Sequence, residues 1–153
     1  MREPVLSVQA SVDVPTRAAR DWFLSLEEHP ERYGFDTHQG FQFVEGGFGE
    51  AGARFKTREK FLFLTLELLF ELKEVEDRSF SFALVRPSSL GVWGRFGIEE
   101  AKDGQSLLSL QIGSETRVGQ LLLRCYPVAR IIHGQISAEV RNARRSMERV
   151  YSG

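Results

Sequence analysis

The segment Gly52–Phe61, GARFKTREKF, holds the carboxylate whose position most invites chemistry. Read with the period of two of a β-strand, it sorts into a face of Arg54, Lys56, Arg58 and Lys60 and a face of Phe55, Thr57, Glu59 and Phe61. The first face is all charge and suits solvent. The second is apolar apart from one hydroxyl and one carboxyl. A carboxylate taken out of water loses several kcal/mol unless it is protonated or partnered. Glu59 is therefore either a polar anchor or proton carrier for a ligand, or a side chain that a bulge turns outward, that sits at a pocket mouth, or that pairs with an arginine.

Few other residues compete for a chemical role. His133 lies at the flank of a terminal apolar stripe, where it either points into a cavity or is a hydrogen-bonded structural residue. Cys125 falls on the same stripe and reads as a small core residue. Tyr126 sits beside it, near a kink. His38 is expected in an exposed loop. The three histidines show no ligand spacing, and the single cysteine excludes an internal disulfide and a cysteine-based zinc site. No nucleophile–base pair, nucleotide loop or metal cluster is visible, so no catalytic residue, metal or cofactor is assigned.

The whole chain narrows the classes further. At 153 residues it is one domain, 1–153, with room for a core. The 20 basic and 21 acidic residues nearly cancel, and no basic patch interleaves with aromatics, which argues against nucleic acid. The longest apolar runs are broken by Glu67 or by Arg124 and Arg130, so no membrane span is expected. MREPVLSV lacks the apolar core of a signal peptide, and a cytoplasmic location is the default expectation. Nothing sets an oligomeric state. The 12 Phe are the outlying figure: a side chain without a polar handle either fills a bulky core or lines a cavity.

The elements that must position these residues follow from periodicity. VLSVQASVDV alternates, with Leu6, Val8, Ala10, Val12 and Val14 on one face, and predicts a half-buried first strand. Pro15 suits a first helical position, Asp13 or Thr16 suits the cap, and Ala18, Trp22, Phe23 and Leu26 form the helix's apolar side. HPERYGFDTHQG predicts a short second helix or turn. The glycine-rich GGFGEAG lacks the Lys-Ser/Thr of a phosphate loop and reads as a turn. FQFVEG, ARFKTREKF, TLELLFELKEV, RSFSFALV, GVWGRFGIEE and SLLSLQIGSE then predict an antiparallel meander. Trp93 is out of phase with Val92, Phe96 and Ile98, so that it and Arg95 lie on the convex face or a glycine bulge turns them inward. Leu122, Cys125, Ala129, Ile132, Ile136, Val140, Ala143, Met147 and Val150 make one apolar stripe, with Pro127 kinking or restarting the helix. Arg141, Arg144, Arg145 and Arg149, interrupted by Glu139 and Glu148, read as its solvated face.

An apolar-faced meander needs a cover, and the terminal stripe matches it. The predicted fold is α+β: a curved antiparallel sheet of about seven strands around a long C-terminal helix, with two short helices after the first strand. Several segments resemble the START and pollen-allergen-like superfamily (SRPBCC): LSVQASVDVPTRAARDWF, GEAGARFKTREKF, FELKEVEDRSFSF, the hairpin FGIEEAKDGQSLLSL with Phe96 where Trp is usual and Gln105 where Thr is, and the tail ISAEVRNARRSMERV. The resemblance spans nearly the whole chain and rests on the order of the motifs. It implies a helix-grip fold with a cavity for apolar molecules, in a superfamily of lipid carriers, hormone binders, polyketide cyclases and aromatases, and chaperone activators. Candidate ligand-binding residues are Thr57, Glu59, Phe61, Phe70, Phe82, Phe96, Leu110, Ile112, Ile132, His133 and Ile136. The leading expectation is a binder or carrier of a hydrophobic small molecule, a lipid or aromatic compound. A cyclase- or aromatase-like enzyme and an interaction module with an incidental cavity are the alternatives.

Overall fold

In a computed structural model that describes residues 3–33, 38–61, 63–86 and 90–151, the first alternating segment forms strand β1, Leu6–Val12. Ser7, Gln9 and Ser11 face solvent and the intervening apolar side chains face inward. Pro15 stops the strand and stands just ahead of helix α1, Thr16–Ser25. Neither Asp13 nor Thr16 caps that helix. The backbone N–H of Asp13 instead donates to Glu148 Oε2 (2.8 Å), tying the chain start to its last helix. Ala19, Trp22, Phe23 and Leu26 are buried, and a 3-10 helix, Pro30–Tyr33, follows.

The remaining strands are β2 (His38–Glu45), β3 (Arg54–Phe61), β4 (Leu64–Val75), β5 (Ser79–Arg86), β6 (Val92–Glu100) and β7 (Ser106–Ser114). They form one antiparallel sheet in the order β1-β7-β6-β5-β4-β3-β2, a meander with β1 added at the β7 edge. His38 belongs to β2, whose backbone it opens opposite Glu59, and not to a preceding loop. Register shifts in β2 and β4 mark irregularities of the kind that bend strands and let a sheet wrap a helix. On the outer face of β3, Arg54 meets its cross-strand partner Glu71 at 3.1 Å and Arg58 meets Glu67 at 3.9 Å, so outward charges have partners in register. The glycine turn after β2 uses Gly46 and Gly52 at positive φ, which leaves Phe48 between them free to enter the core.

Register sets Trp93 and Arg95 on the outward-facing side of β6, yet Trp93 is buried and also borders the gap between sheet and terminal helix. Strand β6 pairs with β7 in unbroken register from Val92 to Glu100, so no bulge reverses it. The Arg95 guanidinium stacks over the Trp93 ring at 5.9 Å. The ring lies against Gly113, where a Cβ would come within 2.5 Å of it.

The terminal stripe is not one helix. Helix α2 spans Arg117–Arg124, Cys125 is extended, and helix α3 runs Tyr126–Tyr151. Pro127 therefore restarts the helix: in a first turn its missing N–H has no intrahelical acceptor to serve. Cys125, expected in the core, is exposed because it is the linker. Along α3, Ile136, Val140, Ala143 and Met147 are buried. Near its C-terminal end the fit to α1 is tight: Trp22 Nε1 donates to Ser146 Oγ at 2.8 Å, both side chains buried.

Candidate functional site

Closer to its start, α3 and the sheet do not close on each other, and a cavity of about 270 Å³ remains. Its walls are mostly phenylalanine and aliphatic. Phe41 and Phe55 come from β2 and β3, Phe70 from β4, Phe82 from β5 and Phe96 from β6, with ring centroids 4.9–6.3 Å apart among cavity neighbours such as Phe55–Phe70, Phe55–Phe82 and Tyr33–Phe96. Phe23 and Phe80 pack behind them without exposure, so the phenylalanines serve as both core and cavity wall.

Among the described residues, the carboxyl, amide and hydroxyl groups of the wall form one connected cluster. Period-two alternation brings Thr57 and Glu59 of β3 inward behind Phe55, all three buried. Helical spacing of four brings Gln135 and Glu139 of α3 to the same place from the other side, both buried. Thr57 Oγ1 donates to Glu59 Oε2 at 3.2 Å. Glu59 also shares hydrogen bonds with Gln135 and with Glu139, and Tyr33 hydrogen-bonds Glu139 from the 3-10 helix. Two carboxyls that touch each other in a dry wall cannot both ionise, so the pair shares a proton. Burial, then the charge of Glu59, push Glu139 well above the ordinary carboxylate range. Burial raises Glu59 too, opposed by the hydrogen bonds it receives. Burial, with the nearby carboxyls, keeps the Tyr33 phenol neutral. The cluster is thus a set of neutral or singly charged donors and acceptors at one spot of an otherwise apolar wall.

The structure sorts the sequence candidates plainly. Thr57, Glu59, Phe70, Phe82, Phe96 and Ile112 from the sheet and Ile132 and Ile136 from α3 line the cavity. Leu110 is buried in the core beyond it. His133 is exposed: with Ile132 and Ile136 turned inward, residue 133 projects a hundred degrees or so away, as helical geometry requires. The Phe61 side chain lies outside the described residues, as does that of His38. Sequence reasoning missed Tyr33, Gln135 and Glu139. Glu139 was read with the solvated basic face, yet it sits three residues after Ile136 and seven after Ile132, the spacing of one face. Among the described residues no group of three or more His, Cys, Asp and Glu could hold a metal ion.

No family model and no curated protein matches the chain by sequence. Solved structures match over nearly its whole length. Ara h 8.0201 is 12% identical, covers 93% of this chain and 95% of its own, and superposes with a TM-score of 0.64. The Zhui aromatase/cyclase from Streptomyces sp. R1128 is 9% identical over 97% and 96%, with a TM-score of 0.66. The di-domain ARO/CYC BexL from the BE-7585A biosynthetic pathway is 15% identical, with a TM-score of 0.68 over 97% of this chain and 47% of that longer one. At such identities the likeness is one of fold: the chain has the helix-grip fold of the START and pollen-allergen-like proteins.

Proposed function

We propose that this protein binds a compact hydrophobic small molecule, an aromatic or lipid-like compound, in the cavity between sheet and α3, with one polar group of the ligand meeting the Tyr33–Glu139–Glu59 cluster. The observation that carries this reading is the wall itself: among the described residues it is predominantly phenylalanine and aliphatic, with its carboxyl, amide and hydroxyl groups gathered in that connected cluster. Apolar burial supplies the affinity, at about 25 cal/mol per Å² before the costs of association, and the cluster supplies orientation. A volume of about 270 Å³ lies just below the usual range of ligand pockets, roughly 300–1,000 Å³, which favours compact molecules. Sugars and nucleotides would leave hydroxyls or phosphates unsatisfied against phenylalanine. Native mass spectrometry of the purified protein, followed by a thermal-shift screen of aromatic and lipid-like compounds against nucleotides and sugars, tests this. Bound ligand should raise Tm with the logarithm of its concentration, and Ile132→Trp, which fills the cavity, should remove the rise. Stabilisation by nucleotides or sugars alone would refute the pocket reading, and silence from every class would leave an interaction module.

One observation favours a second reading, an enzyme of cyclase or aromatase type. A carboxyl pair held in a dry wall, its proton affinity raised by burial, is equipped for general acid–base work. The discriminating result is a bound carbonyl compound that is converted by the native protein and bound unchanged by Glu59→Gln.

A further inference from the structure

The mouth of the cavity carries an apolar surface that the fold leaves uncovered. Leu66 of β4 and Leu122 of α2 line the cavity and are also exposed, so they mark its opening. On the sheet side the exposed surface continues through Leu64, two residues back on the same strand face, to Phe63 in the β3–β4 turn, which is 87% exposed. On the helix side it continues through Val118 and Leu121, which with Leu122 follow the i, i+3, i+4 spacing of one helix face, and ends at Tyr126. Leu121 is 71% exposed.

This is an amphipathic helix mounted with its apolar face outward. Of its residues only Gly119 and Leu123 are buried. It is pinned through Gly119: the backbone N–H there donates to Thr116 Oγ1 (2.9 Å), which donates to the Leu90 carbonyl (3.0 Å). A Cβ at Gly119 would collide with the Leu90 carbonyl and with Ser114, so the close seat depends on glycine. Val118 and Leu121 therefore cannot turn inward by rolling the helix without breaking that seat.

Basic side chains surround the apolar rim. Arg117 and Arg124 belong to α2, Lys60 is the last residue but one of β3, and Arg130 donates to the Tyr126 hydroxyl at 3.0 Å; all four are exposed. The acidic groups on the same edge are Glu115 and Glu67, the latter beside Arg58 at 3.9 Å. Among the described residues the rim is thus apolar at its centre and predominantly cationic around it.

We infer that the rim docks on the surface of a bilayer containing anionic lipid. Phe63, Leu121 and Tyr126 enter the boundary between headgroups and acyl chains, and Arg117, Arg124, Arg130 and Lys60 meet the anionic headgroups. Docking in this way sets the cavity mouth against the lipid, and an apolar molecule passes between bilayer and cavity without crossing water. A second copy of the chain is the poorer occupant, because joining two such rims would bring their basic borders together. Docking requires no bound ligand, so it stands or falls independently of what the cavity holds.

The test is co-sedimentation of the ligand-free protein with vesicles of phosphatidylcholine alone and of phosphatidylcholine mixed with phosphatidylglycerol. Binding is expected to the mixed vesicles and to weaken as salt is raised, since exposed charges are screened beyond about 10 Å at moderate ionic strength. Arg117→Glu and Arg124→Glu should each weaken it by about fivefold or more. Phe63→Ser and Leu121→Ser should weaken it as well, with melting curves unchanged because both side chains face solvent. Should a serine variant melt early, the arginine variants carry the test. Absence of binding to the anionic vesicles, or binding that none of the four substitutions alters, overturns the proposal. So does a dimer in light scattering that Leu121→Ser dissolves, which would make the rim a contact between copies.

Discussion

Glu139→Gln separates a shared-proton pair from an ordinary buried hydrogen bond. Glutamine keeps the shape, can accept from Tyr33 through its carbonyl and can donate to Glu59 through its amide. What it removes is a carboxyl whose proton is held in the fold well above the ordinary value of 4.5. The sign follows from linkage. A group whose pKa is raised on folding binds more protons folded than unfolded, so its contribution is most favourable below the unfolded value and is lost as pH rises toward the folded value. From pH 4.5 to pH 7 the loss accrues over about 2.5 units at about 1.4 kcal/mol each, and so reaches at most about 3.4 kcal/mol for a carboxyl that stays protonated in the fold throughout. Against this, an imperfect amide geometry costs about 1 kcal/mol at every pH. Urea titrations of both proteins at several pH values between 4 and 8 measure the difference, in which acidic groups remote from the pair cancel and the altered titration of Glu59 is included. The variant should be slightly the less stable at pH 4, should gain on the parent as pH rises, and should equal or exceed it at pH 8. Parallel profiles, with the variant lower by a constant amount, would refute the shared-proton account. A loss well beyond 3 kcal/mol at neutral pH would mean that Glu139 is ionised there and held by a cation.

Three further outcomes test the packing. Ile136→Ala should lower stability in denaturant titration by about 2–5 kcal/mol, toward the lower end because Ile136 already borders empty space; a loss under half a kcal/mol, on the same scale, would mean α3 does not plug the sheet. Trp22→Phe, which leaves buried Ser146 without its donor, should cost about 1–3 kcal/mol and should be partly restored by Ser146→Ala. Gly119→Ala should cost about 1–3 kcal/mol through the collision with Leu90 and Ser114, and limited proteolysis should then cut near α2 first.

The sequence alone determines those features that rest on local periodicity. Alternation in β3 turns Glu59 and Thr57 to the side of Phe55, because successive strand side chains must point to opposite faces, and turn residues between alternating runs determine a meander. Pro127 marks the helix break for an equally local reason. Periodicity does not say how far an element is covered. Cys125 and Leu122 continue the apolar spacing of α3, yet Cys125 is exposed at the break and Leu122 reaches only the cavity mouth, because only packing decides which part of an amphipathic stripe finds a partner. Glu139 shows the converse. Its spacing from Ile132 and Ile136 puts it on the inner face, but an acidic residue beside Arg141 is read as solvated until a second carboxyl and a phenol are known to face it. Glu59, Glu139 and Tyr33 are separated by dozens of residues in the chain, and their hydrogen-bonded cluster exists only because the sheet curves to meet the helix. Their joint character belongs to the tertiary structure, since an interaction between two side chains depends on a distance that no one-dimensional pattern contains.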